Sequence, residues 1–432
     1  MTLEKKRFDY KWIILTLAFL MVFVCLGFCS ANKGLYLGAI TKALNIERSL
    51  FTINDSCRFI ATAIVNLFFG ALVGKFGIRK MLAFGFVSLI GSMTIYATAS
   101  NIFVFYIGGT LLGVGLTFTT TTMASTLVRR WFKKDIGKYT SIVFAANGIG
   151  GALAAQIITP MIENGTWGYR KAYIMVACLL AVIGTLMVIF IREQPKGEDA
   201  PAPAPAKKKA RGATWVGIEY TAVNKRAYFF IAGAIVFITG FALQGINGAF
   251  AAHLKDIGFD PAFVATLSSV YSLSLTGTKL VVGAMYDRFG LRIVMLICQS
   301  ASVVAFIALA MLTVSLVSGA FGLAVVLAYV FALLYALALP LETLVIPLIV
   351  NDLFGSVSFD KILGVMMAMN YSGYALGGPV VNLCYDKLGT YAPALYILAG
   401  ITIVALFVFQ RVISSAYKEK QKILDAQTQQ VQ

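Results

Sequence analysis

Twelve apolar stretches, each bounded by charge or by clusters of Gly, Pro and Asn, organise this chain. They fall near 12–40, 51–73, 81–99, 102–128, 137–160 and 171–191, then near 227–251, 262–285, 293–314, 319–350, 362–384 and 391–412. About 20 apolar residues suffice for a helix to cross a bilayer, so the pattern predicts twelve membrane-spanning helices in two sets of six. The first stretch, beginning at Trp12, is too long for the apolar core of a signal peptide and reads as a membrane helix. Between the two sets lies a polar interval with Pro201-Ala-Pro-Ala-Pro-Ala206 followed by Lys207, Lys208, Lys209 and Arg211. Pro–Ala repeats favour extended polyproline geometry, which predicts a surface linker. The expected organisation is an all-α membrane protein: a six-helix bundle over 1–191, a linker over 192–226, a second six-helix bundle over 227–413 and a tail over 414–432.

Composition narrows the class. The chain of 432 residues is 59% hydrophobic and only 13% charged, whereas soluble proteins carry about 25% charged residues. A soluble enzyme is excluded on that ground. The formal net charge of +17 would suggest nucleic acid on a soluble protein. Counted by loop, 27 of the 36 Lys and Arg residues fall on the side of the N-terminus, the linker and the C-terminus, and 6 on the other. That bias predicts a multi-pass protein of the cytoplasmic membrane with both termini and the linker in the cytoplasm. It accounts for the excess charge by topology, with the bilayer as partner and no nucleic acid. The six cysteines lie in apolar stretches without metal-ligand or disulfide spacing, and a single His253 excludes a histidine metal cage. No phosphate-binding Gly loop with Lys-Ser/Thr occurs, so no cofactor, metal, nucleotide drive or enzymatic activity is expected. Asn164-Gly-Thr166 fits a glycosylation sequon in an external loop.

The halves repeat. A constant shift of 213 residues brings Gly27-Phe28 onto Gly240-Phe241, Lys42 onto Lys255, Gly70-Ala71 onto Gly283-Ala284, Lys75-Phe76-Gly77 onto Arg288-Phe289-Gly290 and Arg79 onto Arg292. Parallel six-helix repeats with a site at their interface near the midplane describe a secondary transporter.

The loop after the second stretch, from Gly70 through Lys75, Gly77 and Arg79, resembles the signature loop of the major facilitator superfamily. Its repeat, with Gly283, Asp287, Arg288, Gly290 and Arg292, matches more fully, while Gly74 stands where the first copy should carry the Asp. The resemblance implies twelve helices in two pseudo-symmetric bundles, with these loops gating one face by Asp–Arg pairing; the same cations also serve as positive-inside anchors. Within the superfamily, Arg130-Trp-Phe-Lys-Lys-Asp-Ile-Gly137, Ala146-Asn-Gly-Ile-Gly-Gly151, Pro347 and Asn351-Asp352-Leu-Phe-Gly355 are similar to the oxalate:formate antiporter and monocarboxylate transporter branch. That branch implies a substrate-binding cation at Lys279, a second at Lys33 and an aromatic at Tyr36. Two positions depart from it: Leu275 stands where monocarboxylate transporters place an Asp, and Asn370 where the oxalate transporter has a second Lys. Asn370 remains a hydrogen-bond donor, and Tyr371 and Tyr374 on the same helix are either polar handles or core packing.

Ionisable side chains at bilayer depth cost at least about 2.5–3.5 kcal/mol on insertion scales, so each needs a reason. Lys279 lies eight residues before Asp287, about 12 Å by helical rise, near the midplane. Lys33 sits in the outer part of the first helix, placed either for substrate or to snorkel outward. Arg58 follows Asp55 at i, i+3, which suits a local ion pair as well as a substrate contact. Glu342 is the one deep acid, and three roles compete: counter-ion to Lys279, proton carrier, or receptor for a cationic substrate group. Together these residues predict a monomeric secondary transporter of small organic anions, mono- or dicarboxylates, working by alternating access as an antiporter or with a proton as symporter. The alternative is a proton-driven exporter of amphipathic or cationic compounds with Glu342 as its partner.

Overall fold

The computed structural model describes residues 10–132, 136–163, 168–192, 217–355 and 357–431, almost entirely as helix. The Pro–Ala repeat, the sequon and Lys133–Asp135 lie outside the described residues. Ten helical segments are long and apolar enough to cross a membrane. One of them, Pro261–Leu316, contains two crossings, because Gly290 at φ 74° and ψ 175° folds it back on itself. The polar-lined Phe359–Leu388 supplies a further crossing of 30 residues. The chain thus has the twelve helices and two pseudo-symmetric bundles expected, numbered here one to twelve in chain order.

The internal repeat is visible in the backbone. Gly77 ends helix two at φ 82°, and Gly290, 213 residues later, ends helix eight at φ 74°. The same interval separates Asn45 at φ 50° from Gly258 at φ 98°. Left-handed backbone of this kind is open to Gly and, at some cost, Asn. Turns of the same hand therefore occupy equivalent positions in the two bundles.

Four features depart from the uninterrupted pattern. Helix one is broken: Tyr10–Val22 runs into a π-helical turn, Phe23–Phe28, and resumes only at Lys33–Leu44. Helix ten is divided into Phe321–Ala338, Pro340–Thr343, Val345–Ile349 and a π-helical Val350–Phe354, since Pro340 and Pro347 cannot donate into the helical ladder. The last ten residues of the expected linker are not a free surface strand. Ile218 donates its N–H to the Phe354 carbonyl at 2.9 Å, and Val223, in the short helix Tyr220–Val223, is fully buried. Helix twelve continues to Val431 through the expected tail, where Tyr417 and Lys420 both reach the Asp352 carboxylate, at 2.6 and 3.2 Å. The tail has no Gly or Pro to stop a helix, and Asp352 gives it a partner.

Between the bundles, helix two packs along helix eleven and helix five along helix eight. Apolar side chains such as Phe103, Phe407 and Leu67 face outward at 69%, 65% and 81% exposure, a surface suited to lipid.

Candidate functional site

A cavity of about 320 Å³ lies between the two bundles. Its walls differ in chemistry.

The wall from the first bundle is built on the break in helix one. Asn32 donates from Nδ2 to the Gly151 carbonyl at 2.7 Å and to that of Gly27 at 3.4 Å, tying the broken turn to helix five. Gly27 and Gly150 allow that approach, since a Cβ on Gly27 would sit 2.6 Å from the Gly150 backbone. The break sets Lys33 at the first position of a helix, where the dipole disfavours a cation. The compensation is Asp55 on helix two, which forms an ion pair with the Lys33 ammonium. Asp55 also lies 3.6 Å from Arg58 Nε one turn on, and Arg58 donates from Nη1 to Ser30 Oγ at 2.8 Å. One carboxylate is therefore shared by two cations. Thr62, Asn66 and Thr120–Thr122 continue this wall; Thr120 bonds its own helix backbone at 2.6 Å while also facing the cavity.

The opposite wall is a directed chain of hydrogen bonds. Tyr271 donates to Asn247 Oδ1 at 3.0 Å, Asn247 Nδ2 to Gln244 Oε1 at 3.5 Å, and Gln244 Nε2 to Glu342 Oε2 at 2.9 Å. Glu342 stands in the interrupted stretch of helix ten, only 2% exposed, with Tyr374 beside its carboxyl; Oε1 is buried and makes no well-formed hydrogen bond among the described residues. Lys279 lines the cavity from helix eight and has neither a hydrogen bond nor an ion pair within 4.0 Å among the described residues. The expected counter-ion contact between Glu342 and Lys279 is thus not made. Glu342 turns instead to Gln244, which the kink at Pro340 brings within reach.

Tyr371 and Tyr374 line the cavity from helix eleven, and Tyr374 also packs edge-on to Phe59 at 4.9 Å across the bundle interface. Two expected site residues stand elsewhere. Asn370 is completely buried behind the wall, filling the gap left by Gly240, where a Cβ would come within 2.5 Å of its Oδ1. Tyr36 stacks on Tyr173 at 4.3 Å inside the first bundle, lining a small separate pocket, because the break in helix one rotates its face away from the centre.

The cavity is sealed at the end remote from the termini. Arg48 grips the Asp256 carboxylate with both terminal nitrogens, at 2.5 and 2.8 Å, and lies 4.0 Å over the Tyr385 ring. The backbone N–H groups of Arg48 and Ser49 donate to Asp386 at 3.1 and 2.8 Å. Lys255 pairs with Glu163 at 2.5 Å, and Ser269 donates to the Ala152 carbonyl at 2.8 Å. All of these contacts join one bundle to the other. Toward the termini, Gly70, Gly74 and Gly364 border open space instead. Arg79 donates to the Val188 carbonyl at 2.7 Å and Arg292 to Ser414 at 2.5 Å, each within its own bundle. Gly70, Lys75, Asp287 and Arg288 are exposed, while Gly283 beside them is half-buried, and Asp287 has no ion pair among the described residues. The cavity accordingly opens toward the face that carries the termini.

Gln244, Asn247 and Tyr271 were not singled out from the sequence. The available signal was two amides one turn apart in an otherwise apolar stretch, together with Pro340 two residues before the deep acid. Arg48 entered the sequence reading only as one of the six loop cations of that side, and Asp256 and Asp386 did not enter it.

A family model described as Major Facilitator Superfamily matches residues 17–243 and, a second time, residues 232–430. The chain is 24% identical over 287 residues to the uncharacterized MFS-type transporter YcxA of Bacillus subtilis (strain 168), covering 66% of this chain and 67% of that one. It is 24% identical over 286 residues to the sialic acid transporter NanX of Escherichia coli (strain K12), covering 63% of this chain and 62% of the relative. Among solved structures, the nucleoside transporter NupG superposes with a TM-score of 0.71 at 18% identity, covering 94% of this chain and 99% of that one. A bacterial homologue of the human lysosomal transporter Spinster, in an inward-facing and unoccupied conformation, superposes with a TM-score of 0.67 at 13% identity, covering 96% and 98%. At these identities the structural likeness is one of fold.

Proposed function

The chain belongs to the major facilitator superfamily, and from that premise we propose that it carries small organic anions, mono- or dicarboxylates, across the cytoplasmic membrane by alternating access. The observation that carries this reading is Lys279, a cation on the wall of the central cavity with no hydrogen bond or ion pair among the described residues. A buried charge is tolerated when something pairs with it, and a substrate carboxylate is the group that would do so here. Lys33 and Arg58 add to the attraction, since they share a single carboxylate. Similarity to a transporter of sialic acid, a carboxylate by chemistry, supports the same class. A Lys holds an anion as a point charge without the bidentate fork of Arg, so selectivity among carboxylates rests on the rest of the wall.

In this reading the two bundles, over 1–191 and 227–413, rock about the cavity, and Tyr371 and Tyr374 follow the substrate between helices two and eleven. The conformation described is the one open toward the cytoplasm, with termini, linker and the Asp287 and Arg292 loops on that side. Exchange of anions is favoured over proton symport because Leu275, one turn from Lys279, puts no acid beside it, although Glu342 offers a route for a proton.

A thermal-shift screen of the purified protein against carboxylates, amino acids and amines tests the class. Stabilisation by carboxylates is expected, and stabilisation by amines alone would overturn the anion reading in favour of a cation exporter centred on Glu342. Uptake driven by carboxylate loaded on the opposite side of a proteoliposome, and indifferent to a proton gradient, is the outcome expected of exchange.

A further inference from the structure

We propose that the outer seal works as a shared helix cap: the first turn of helix two has no side-chain cap of its own, and Asp386 of the second bundle supplies one only while the outer face is closed. The proposal rests on the alternating-access reading and names a contact that biases it.

The two bundles begin their second helices differently. Helix two, Arg48–Phe76, follows Glu47 at φ −65° and ψ 146°, and helix eight starts at Pro261 after Asp260 at φ −58° and ψ 136°. Glu47 and Asp260 are 213 residues apart, the interval of the internal repeat. Each carbonyl accepts the first bond of its helix, from the N–H of Phe51 at 3.2 Å and of Val264 at 3.0 Å. The backbone is thus prepared for capping in the same way at both positions, and only the side chains differ. Asp260 accepts from the N–H of Ala262 at 3.0 Å, whereas Glu47 makes no capping bond. Asp is among the favoured N-cap residues and Glu is not.

The donors that Glu47 leaves free are met from the other bundle. Arg48 and Ser49 give their N–H groups to the two oxygens of Asp386, at 3.1 and 2.8 Å, and Ser49 is the residue equivalent to Ala262. Asp386 stands in the last turn of helix eleven, Phe359–Leu388, where an acid opposes the dipole of its own helix. The N-terminus of helix two accounts for its presence there, since that dipole favours an acid. Separation of the bundles on the outer side withdraws Asp386 and leaves the two N–H groups to water, while helix eight keeps its own cap in either state. The closed seal therefore holds a charge-assisted pair of bonds that the open one lacks. Asp55 and Arg58 follow about two and three turns further along the same helix, so the seal and the first wall of the cavity share one element.

The test is Glu47→Asp, which keeps the charge and supplies the missing cap within helix two. It competes with Asp386 for the Ser49 N–H, so the population open to the outside is expected to grow about fivefold, the scale of one cap. Labelling of a Thr52→Cys variant by an impermeant maleimide, above that of the chain with Thr52 intact, reads this population; Thr52 is only 5% exposed behind the closed seal. Asp386→Ala removes the shared cap and is expected to raise labelling at least about tenfold. In that background Glu47→Asp is expected to add nothing to labelling and to raise the melting temperature, because the N–H groups it caps are no longer contested. Unchanged labelling in Glu47→Asp overturns the proposal. An equal gain in both backgrounds also overturns it, since that is the mark of a change local to helix two. If Asp386→Ala does not fold, Glu47→Asp decides the matter alone, because its position is exposed and its charge is kept. None of these outcomes touches carboxylate binding, so failure here leaves the organic-anion reading standing, whereas absence of labelling in every variant would overturn alternating access itself.

Discussion

The two walls of the cavity handle buried charge in different ways. In the first bundle, Lys33 and Arg58 share the Asp55 carboxylate, which leaves one positive charge in excess, and Ser30 takes up a guanidinium donor. In the second bundle, among the described residues, Lys279 makes no hydrogen bond or ion pair, and Glu342 accepts from Gln244 through Oε2. Sequence repetition did not carry the charges across: the 213-residue shift that aligns the loops puts Ile246 opposite Lys33 and Tyr271 opposite Arg58. The charges of the first wall are thus in contact with one another, while Lys279 and Glu342 of the second are not, and the proposed substrate would meet them there. Asymmetry of this kind is what allows a pseudo-symmetric shell to bind a molecule that has two different ends.

That contrast can be broken at its strongest point by Lys279→Ala. Carboxylate uptake into proteoliposomes is expected to fall by about two orders of magnitude, the scale of one lost contact between charged groups, with the protein still folded in the membrane. Uptake close to normal would remove Lys279 from the site.

Asp55→Asn attacks the first wall instead. With Lys33 and Arg58 both left without their acid, the melting temperature is expected to drop, by the equivalent of about 2 kcal/mol for a partly buried charged contact. An unchanged melting curve would show that the three charges do not support each other.

Arg48→Ala addresses the outer seal. It removes the bidentate grip on Asp256 but leaves the backbone contacts to Asp386, so the population open to the outside is expected to grow by about tenfold without unfolding. Labelling of a Thr52→Cys variant by an impermeant maleimide would report it, and labelling as slow as in the parent would mean that the seal is held by the other contacts.

Tyr36→Phe carries the smallest expected effect. Its hydroxyl is buried with no hydrogen-bond partner among the described residues and stands away from the cavity, so removing it should leave uptake unchanged and stability equal or slightly raised. Loss of uptake would restore Tyr36 to the role the family resemblance implied for it.

How far the site was legible follows from how each residue reveals itself. A lone Lys, Arg or Glu in an apolar stretch is conspicuous, and counting helical rise from a loop places it at depth. Lys33, Arg58, Lys279 and Glu342 were found in that way, and all four line the cavity. Facing is harder than depth. Tyr36 and Asn370 are at suitable heights but look elsewhere, because a π-turn at Phe23–Phe28 and the gap at Gly240 set directions that an ideal helical period does not contain. Gln244 and Asn247 went unnoticed because an uncharged amide barely disturbs the hydropathy of its stretch, although buried amides must find partners.

The sequence by itself determined the membrane class, the twelve crossings, the two-fold repetition and the loop turns at Gly77 and Gly290. Each of these rests on local rules: apolar length, charge on one side of the bilayer, and a backbone conformation that few residues adopt. The tertiary structure alone decided which acid serves which cation, that Glu342 turns to Gln244 and away from Lys279, and that the bundles close at Arg48 and open toward the termini. Those outcomes depend on distances between helices far apart in the chain, and hydrophobic patterning does not encode them. Two carboxylates and three cations allow several pairings of similar cost, and the choice among them is made by the breaks in helices one and ten, which set where each charged group can reach.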